Sequence, residues 1–167
     1  MEKNLKKVII AVVGSANTGK SAAIKQLSCK FPFMDKKTIF PKNNEENNDV
    51  VCYGKYLNQI GKEHSLGICS FGDYKSMLEE YFLPLIERHS CDVIVAACHN
   101  YQGTEGNTFN YIVNVARKYG YRLITTSILR DDTIDTMSHE EKKSNEVIHI
   151  LNDIFAENFI NLITSIV

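Results

Sequence analysis

The sequence predicts a single α/β domain in which helices cover both faces of a mostly parallel sheet, a three-layer α/β/α arrangement. Runs of consecutive apolar residues, typical of strands buried on both faces, alternate along the chain with segments of helical periodicity. The composition agrees, because 44% hydrophobic and 23% charged residues in a chain of 167 suit one globular domain spanning residues 1–167. We expect about five strands, with one candidate antiparallel strand from a hairpin.

The N-terminal part begins with a strand and a helix. The run KVIIAVV, residues 7–13, is almost entirely β-branched or apolar and predicts a buried strand. Helix-forming residues with one apolar face then predict a helix from Lys20 to about Lys30. The polar segment PKNNEENND, residues 41–49, has no hydrophobic periodicity and is predicted to be a surface loop.

A hairpin is predicted next. The runs DVVCYGKYL (49–57) and HSLGICSFG (64–72) are both typical of strands. They are joined by the short segment NQIGKE, whose Gly61 suits a tight turn. The two strands are therefore expected to pair in antiparallel fashion.

Helices and strands continue to alternate in the second half. Apolar residues at helical spacing follow Asp73, and Pro84 should bend this helix near Leu83 or start a second one. The run CDVIVAAC, residues 91–98, predicts another fully buried strand.

The remaining elements are a helix, a strand and a long final helix. The helix should end at Gly120, and the run YRLITTSIL, residues 121–129, predicts the fifth strand. Ser138 and Glu141 have the spacing of a capping box, and an apolar stripe follows them almost to the C-terminus.

Charge and cysteine content restrict the partners and the compartment. With 19 Lys plus Arg against 20 Asp plus Glu, the net charge of −1 does not indicate a nucleic acid or an anionic membrane as partner. No run reaches the roughly 18 apolar residues that a membrane span needs. The cysteines have neither zinc-site spacing nor an even number, so we expect them to be reduced and the protein to be cytoplasmic. They are Cys29, Cys52, Cys69, Cys91 and Cys98.

A phosphate-binding motif lies between the first strand and the first helix. Its residues spell G-x-x-x-x-G-K-S, the Walker A pattern: Gly14, Ser15, Ala16, Asn17, Thr18, Gly19, Lys20 and Ser21. Glycines allow successive backbone N–H groups to turn toward one anion, and the following helix directs its positive end to the same place. On this motif the chain resembles the P-loop NTPases.

The resemblance implies a nucleoside triphosphate as ligand and Mg²⁺ as cofactor. Lys20 would reach the β and γ phosphates, Ser21 would coordinate Mg²⁺, and the backbone from Ser15 to Gly19 would cradle the phosphates. The hairpin and the 41–49 loop resemble the GTPase branch of these proteins. After the strand ending at Cys98, however, the sequence reads HNYQGTEG and lacks that branch's N/T-K-x-D run, so ATP is expected by elimination, with GTP as the alternative.

A P-loop enzyme also needs an acidic residue near the metal. Asp49 and Asp92 stand at the starts of predicted strands and are expected at the edge of the sheet opposite the site, with structural roles. Asp73 follows the carboxyl end of a strand and is the candidate metal-linked carboxylate. The alternative is that Asp73 caps the helix beginning near Lys75.

Other polar residues follow the later strands. His99, Asn100 and Gln102 could contact phosphate, base or a second substrate, although for His99 an ordinary polar loop is the favoured interpretation. Arg130 is expected on the same side of the sheet, with an ordinary loop charge as the favoured interpretation. Arg88, like Arg117, is expected on a solvated helix end, so no arginine-rich lid is predicted.

Three functions are compatible with these residues. The leading hypothesis is Mg²⁺-dependent binding and slow hydrolysis of the triphosphate, a phosphoanhydride hydrolase with Lys20 and Asp73 as catalytic residues and with Ser21 and Asp73 on the metal. The second is a kinase that transfers phosphate to a small acceptor near His99 and Arg130. The third is a nucleotide-dependent switch whose 41–49 loop reports to a protein partner.

Overall fold

The computed structural model describes residues 7–14, 19–43, 47–99, 107–127 and 146–167. The strands are β1 (Val8–Val13), β2 (Lys37–Phe40), β3 (Val51–Leu57), β4 (Glu63–Cys69), β5 (Val93–Cys98) and β6 (Arg122–Ser127). The helices are α1 (Lys20–Lys30), α2 (Lys75–Met77), α3 (Leu83–Glu87), α4 (Thr108–Tyr119) and α5 (Glu146–Ile166), and a π-helical turn (Leu78–Phe82) joins α2 to α3.

The strands form one sheet in the order β2-β3-β4-β5-β1-β6. β1 pairs in parallel with β5 and with β6, and β4 pairs in parallel with β5. β3 and β4 form the predicted antiparallel hairpin, in which Val51 pairs with Cys69 and Leu57 with Glu63. The prediction of an α/β fold with a mostly parallel sheet is confirmed.

Helices pack on both faces of the sheet. Val8, Ile10 and Val12 of β1 lie in one apolar cluster, and Ile9 and Ala11 lie in a second cluster on the other face. The first cluster contains residues of α1 and α5, namely Ile24, Leu27, Ala156, Phe159 and Ile163. The second contains residues from the helical segment after β4 and from α4, namely Leu78, Phe82, Leu85, Ile112 and Val115. Two covered faces explain why the strand sequences are apolar without alternation.

The helix after Asp73 is interrupted as Pro84 requires. The chain forms a π-helical turn over Leu78–Phe82, and Pro84 then occupies the first turn of α3. The backbone stays helical through Phe82 and Leu83, and the N–H of Leu83 donates to the Leu78 carbonyl, five residues back, in the π-helical turn just before the proline, which has no N–H to donate. The predicted irregularity near Leu83 is confirmed.

β2 is a sixth strand that the sequence did not predict. Its residues Lys37–Phe40 pair in antiparallel fashion with β3 at the edge of the sheet. Two of its side chains are exposed and two are half-buried, so the segment lacks the apolar run of a central strand. Its short length and the following Pro41 also weaken the sequence signal.

The structure also tests several smaller predictions. The five cysteines are all free, and Cys52, Cys69, Cys91 and Cys98 are buried as expected. In the described part of the chain, no helix is both long enough and apolar enough to span a membrane. The predicted capping box lies outside the described residues.

Candidate functional site

Three of the residues singled out in the sequence, Gly14, Asp73 and His99, lie at one edge of the sheet. β1, β4, β5 and β6 run parallel, so their carboxyl ends lie together at what we call the carboxyl edge. Gly14 follows β1, His99 follows β5, and Asp73 comes shortly after β4. In open α/β sheets this edge is where ligands bind.

Both ends of the Walker A segment are described. The N–H of Gly14 donates to the carbonyl oxygen of Cys98 at 3.2 Å, so the segment leaves β1 while still attached to β5. Gly19 has the left-handed angles φ 82° and ψ 18°, and α1 begins immediately after it. A side chain at position 19 would strain this conformation, which explains the glycine. The residues between these ends, Ser15, Ala16, Asn17 and Thr18, lie outside the described residues.

Lys20 is buried at the start of α1, with only 6% of its surface exposed. Its ammonium donates to the carbonyl oxygen of Gly14 at 3.0 Å. Burial lowers the pKa of Lys20, and the nearby carboxylate of Asp73 partly opposes this shift. A lysine buried near its own loop and an acidic residue is typical of a functional site rather than of a solvated turn.

His99 connects the Walker A segment to Asp73. Its Nδ1 lies 2.8 Å from the carbonyl oxygen of Gly14, and its Nε2 contacts Oδ1 of Asp73. The strand order explains this placement, because β5 lies between β1 and β4 and His99 follows β5. The structure thus brings Lys20, Asp73 and His99 together, and His99 is a buried side chain with two ring contacts rather than a solvated loop residue.

A second layer of contacts fixes these groups. The N–H of His99 donates to Oγ1 of Thr108 at 2.8 Å, and this hydroxyl donates to the carbonyl oxygen of Gly72 at 2.6 Å. Thr108 is fully buried in the first turn of α4. Thr108 was not predicted from the sequence. The one pattern that points to it is its position directly after Asn107, whose side chain caps the start of α4.

Asp73 does not cap the helix that follows it. The residue preceding α2 is Tyr74, whose side chain makes no capping hydrogen bond. The carboxylate of Asp73 contacts His99 instead, while 74% of the side chain remains exposed. The capping alternative is therefore wrong, and Asp73 presents an accessible carboxylate at the carboxyl edge.

Asp49 lies at the carboxyl edge and not at the opposite edge, which corrects the prediction. β3 is antiparallel to β4, so the beginning of β3 lies beside the end of β4. Oδ1 of Asp49 accepts a hydrogen bond of 2.8 Å from the hydroxyl of Ser70. Asp92 does lie at the opposite edge, where its Oδ2 accepts hydrogen bonds from the N–H and the hydroxyl of Ser65 at 2.9 and 3.0 Å.

The donor chemistry at this edge suits a magnesium ion. Mg²⁺ prefers oxygen ligands and commonly takes one or two from the protein, the remainder coming from phosphates and water. The hydroxyl of Ser21, half-buried in the first turn of α1, and the exposed carboxylate of Asp73 supply such oxygens. Among the residues that the structure describes there is no cluster of three or more His, Cys, Asp or Glu side chains that could hold a metal alone.

The remaining candidates are only partly described. Asn100, Gln102 and Arg130 lie outside the described residues. Arg88 and Arg117 are exposed at the ends of α3 and α4, as predicted.

Comparisons with protein-family models, with curated proteins and with solved structures give no significant match to this chain. Its function is therefore inferred from the Walker A pattern and from the side chains at the carboxyl edge.

Proposed function

We propose that this protein is a Mg²⁺-dependent P-loop NTPase that binds ATP and hydrolyses it slowly. The observation that carries this proposal is the position of Lys20. Its buried ammonium lies 3.0 Å from the carbonyl oxygen of Gly14 at the start of α1, in the electrostatic field of Asp73. A Walker A lysine in this position can bind the phosphates of a nucleotide.

The start of α1 is suited to an anion. The first turn contains no acidic residue, so the positive end of the helix dipole is not neutralised by its own side chains. The first N–H groups of an α-helix have no acceptor within that helix and can donate to phosphate oxygens. Together with the ammonium of Lys20, they would balance much of the charge on a triphosphate.

Asp73 and Ser21 would hold the metal ion. When bound, Mg²⁺ would neutralise phosphate charge and align the phosphates for attack by water. Asp73 reaches the site from the end of β4, and Ser21 from the first turn of α1. Lys20 would stabilise the charge that develops on the transferring phosphoryl group, so catalysis would depend mainly on positioning.

ATP is the proposed ligand because the sequence lacks the N/T-K-x-D run with which the GTPase branch recognises guanine. The free cysteines, four of them buried, agree with a cytoplasmic location. A protein partner that responds to the nucleotide is compatible with this proposal.

The proposal is tested by titrating fluorescent ATP and GTP analogues with and without Mg²⁺. The variant Lys20→Ala should weaken ATP binding at least about tenfold, since a buried charge-assisted contact is lost. Lys30→Ala is the matched control, because Lys30 lies at the other end of the same helix and pairs with Asp153. If Lys20→Ala binds ATP as tightly as the wild type, the proposal is wrong.

A kinase is the second candidate, favoured by an aromatic cluster at the carboxyl edge. Phe71 lies two residues before Asp73, stacks on Tyr81 with 4.6 Å between ring centres, and meets Phe40 edge-on at 4.9 Å. The three rings are half-buried rather than enclosed in the core. Such rings could contact a planar acceptor close to the transferred phosphate.

Product analysis separates the two candidates. The protein is incubated with labelled ATP, Mg²⁺ and a panel of nucleosides and nucleoside monophosphates, and the labelled products are resolved. Transfer of label to an acceptor, reduced at least about tenfold in Phe71→Ala, would favour the kinase. Release of inorganic phosphate alone, at a rate unaffected by every acceptor, would favour the NTPase.

A further inference from the structure

We propose that His99 is a positioning residue with two separable tasks, an inference that rests on the proposed function. Its Nδ1–H keeps the Gly14 carbonyl hydrogen-bonded when Lys20 turns to the phosphate. Its Nε2 holds the Asp73 carboxylate at the metal position. One ring would thus serve the phosphate side and the metal side of the same site.

The backbone and ring of His99 are held in place from several directions. Only 3% of the residue is exposed. Its N–H donates to Thr108 at 2.8 Å, and its carbonyl oxygen accepts from the N–H of Phe109 at 3.0 Å. With both ends of the residue tied to the start of α4, the imidazole is presented in one orientation. A fixed orientation is what a positioning residue needs.

The first task follows from a shared acceptor. The carbonyl oxygen of Gly14 accepts from Lys20 at 3.0 Å and lies 2.8 Å from Nδ1 of His99. A carbonyl can only accept, so Nδ1 donates to it; a carboxylate also only accepts, so the contact with Asp73 is a hydrogen bond when Nε2 carries a hydrogen as well. If Lys20 moves to a phosphate, His99 still satisfies this carbonyl, and the usual cost of a lost hydrogen bond in a partly buried place is avoided.

The second task concerns a mobile carboxylate. The side chain of Asp73 is 74% exposed, so its rotamers would otherwise be restricted little by packing. Its Oδ1 contacts Nε2 of His99, which leaves the other carboxylate oxygen for a ligand. Fixing the carboxylate before the metal arrives reduces the entropy lost on binding.

His99 is not placed to act as a general base. Both of its ring nitrogens are engaged, one at the Gly14 carbonyl and the other at Asp73. A general base needs a nitrogen within reach of the proton that it removes. The ring therefore acts through Gly14 and Asp73.

Two amide variants separate the tasks. In asparagine the amide nitrogen is bonded to Cγ, as Nδ1 is in histidine, so His99→Asn can still donate to Gly14 but cannot reach Asp73. In glutamine the amide nitrogen lies one bond further, near the place of Nε2, so His99→Gln can still donate to Asp73 but loses Gly14. Thermal melting of both variants would show whether each is folded.

The expected results form a crossed pattern. His99→Gln should weaken Mg²⁺-free ATP binding about tenfold, because release of Lys20 now leaves the Gly14 carbonyl without a donor. His99→Asn should bind Mg²⁺-free ATP within about threefold of the wild type, but need about tenfold more Mg²⁺ for half-maximal phosphate release. A merely structural residue would affect both properties together.

Equal effects of the two variants on both properties would overturn the proposal, as would two variants indistinguishable from the wild type. If His99→Asn does not fold, the ¹⁵N signals of the wild-type His99 imidazole, read without nucleotide, test the two ring contacts in its place.

A wild type that binds no ATP would refute the proposed function itself. The ¹⁵N signals of the His99 imidazole, read without nucleotide, would then show separately whether the two ring contacts exist. A non-protonated Nδ1 would overturn the proposal on its own.

Discussion

Gly72 lies against the backbone of Ala97 so closely that a Cβ on Gly72 would stand 2.4 Å from the Ala97 carbonyl oxygen. The segment after β4 thus crosses directly over the end of β5, and this crossing carries Asp73 to His99. The carbonyl oxygen of Gly72 accepts from Thr108 at 2.6 Å, which fixes the crossing from the α4 side. Glycine at position 72 is therefore a steric requirement of the site.

Gly72→Ala should separate the two segments and displace Asp73. The backbone oxygen of Ala97 cannot move aside as a flexible side chain would, so we expect a destabilisation of about 1–3 kcal/mol. Magnesium-dependent phosphate release should also fall at least about tenfold. Urea unfolding and a phosphate-release assay measure the two effects. Gly61→Asn is the control, because Gly61 has open space around it and asparagine tolerates its φ of +77°. Normal stability of Gly72→Ala would contradict the close approach.

Removal of the Ser21 hydroxyl should affect the metal more than the nucleotide. In the absence of Mg²⁺, Ser21→Ala should bind ATP within about threefold of the wild type, because the backbone and Lys20 still contact the phosphates. The variant should lose most of the gain in ATP affinity that Mg²⁺ provides. Titrations with and without Mg²⁺ give both values. Ser28→Ala is the matched control on the same helix, where the Ser28 hydroxyl donates to the carbonyl of Lys25. An undiminished Mg²⁺ effect in Ser21→Ala would remove Ser21 from the metal site.

Much of the fold could be predicted from the sequence because local patterns determine it. Apolar runs such as residues 91–98 predict buried strands wherever those strands lie in the sheet. The hairpin was predictable from two β-rich segments and the turn at Gly61. β2 was missed because an edge strand of four residues with exposed side chains has little hydrophobic signal.

The candidate site could be predicted only in part, because its contacts depend on strand order. The Walker A motif is contiguous, so Lys20 and Ser21 could be recognised directly. The role of His99 depends on β5 lying between β1 and β4, which no local pattern reveals. The prediction for Asp49 is wrong because β3 runs antiparallel to β4, so the start of β3 lies at the carboxyl edge, and this reversal of direction is not visible in the local sequence.

Asp92 and Asp73 should respond to substitution in opposite ways. Asp92→Ala removes the acceptor for two hydrogen bonds from Ser65 at the far edge of the sheet, so we expect a loss of about 1–3 kcal/mol with ATP binding unchanged. Asp73→Ala changes a side chain that is 74% exposed and should cost less than about 1 kcal/mol, yet lose most magnesium-dependent phosphate release. Urea denaturation and phosphate release distinguish the two. Loss of activity in Asp92→Ala at full occupancy by ATP would contradict its structural role.

His64 is buried in a place that favours its neutral ring. Its Nε2 lies 3.3 Å from Nδ2 of Asn58. The Asn58 amide is fixed in this orientation, because its oxygen accepts from the N–H of Lys62 and its nitrogen donates to the carbonyl of Val167. Nε2 of His64 must therefore act as an acceptor, which requires the neutral ring. Burial lowers the pKa of His64, although Asp92 partly opposes the shift.

Stability should consequently fall when the pH is lowered from about 8 to about 5. Because the pKa of His64 is lower in the folded chain, the unfolded chain takes up the proton first. The free energy of unfolding begins to fall when the pH drops below the ordinary histidine pKa of about 6.5. It stops falling once the pH is below the pKa of His64 in the folded chain. His89 adds to the same slope, since burial lowers its pKa as well. Urea midpoints across this range measure the effect. His64→Gln should show a shallower pH dependence than the wild type, and an unchanged slope in that variant would mean that His64 is not the group responsible.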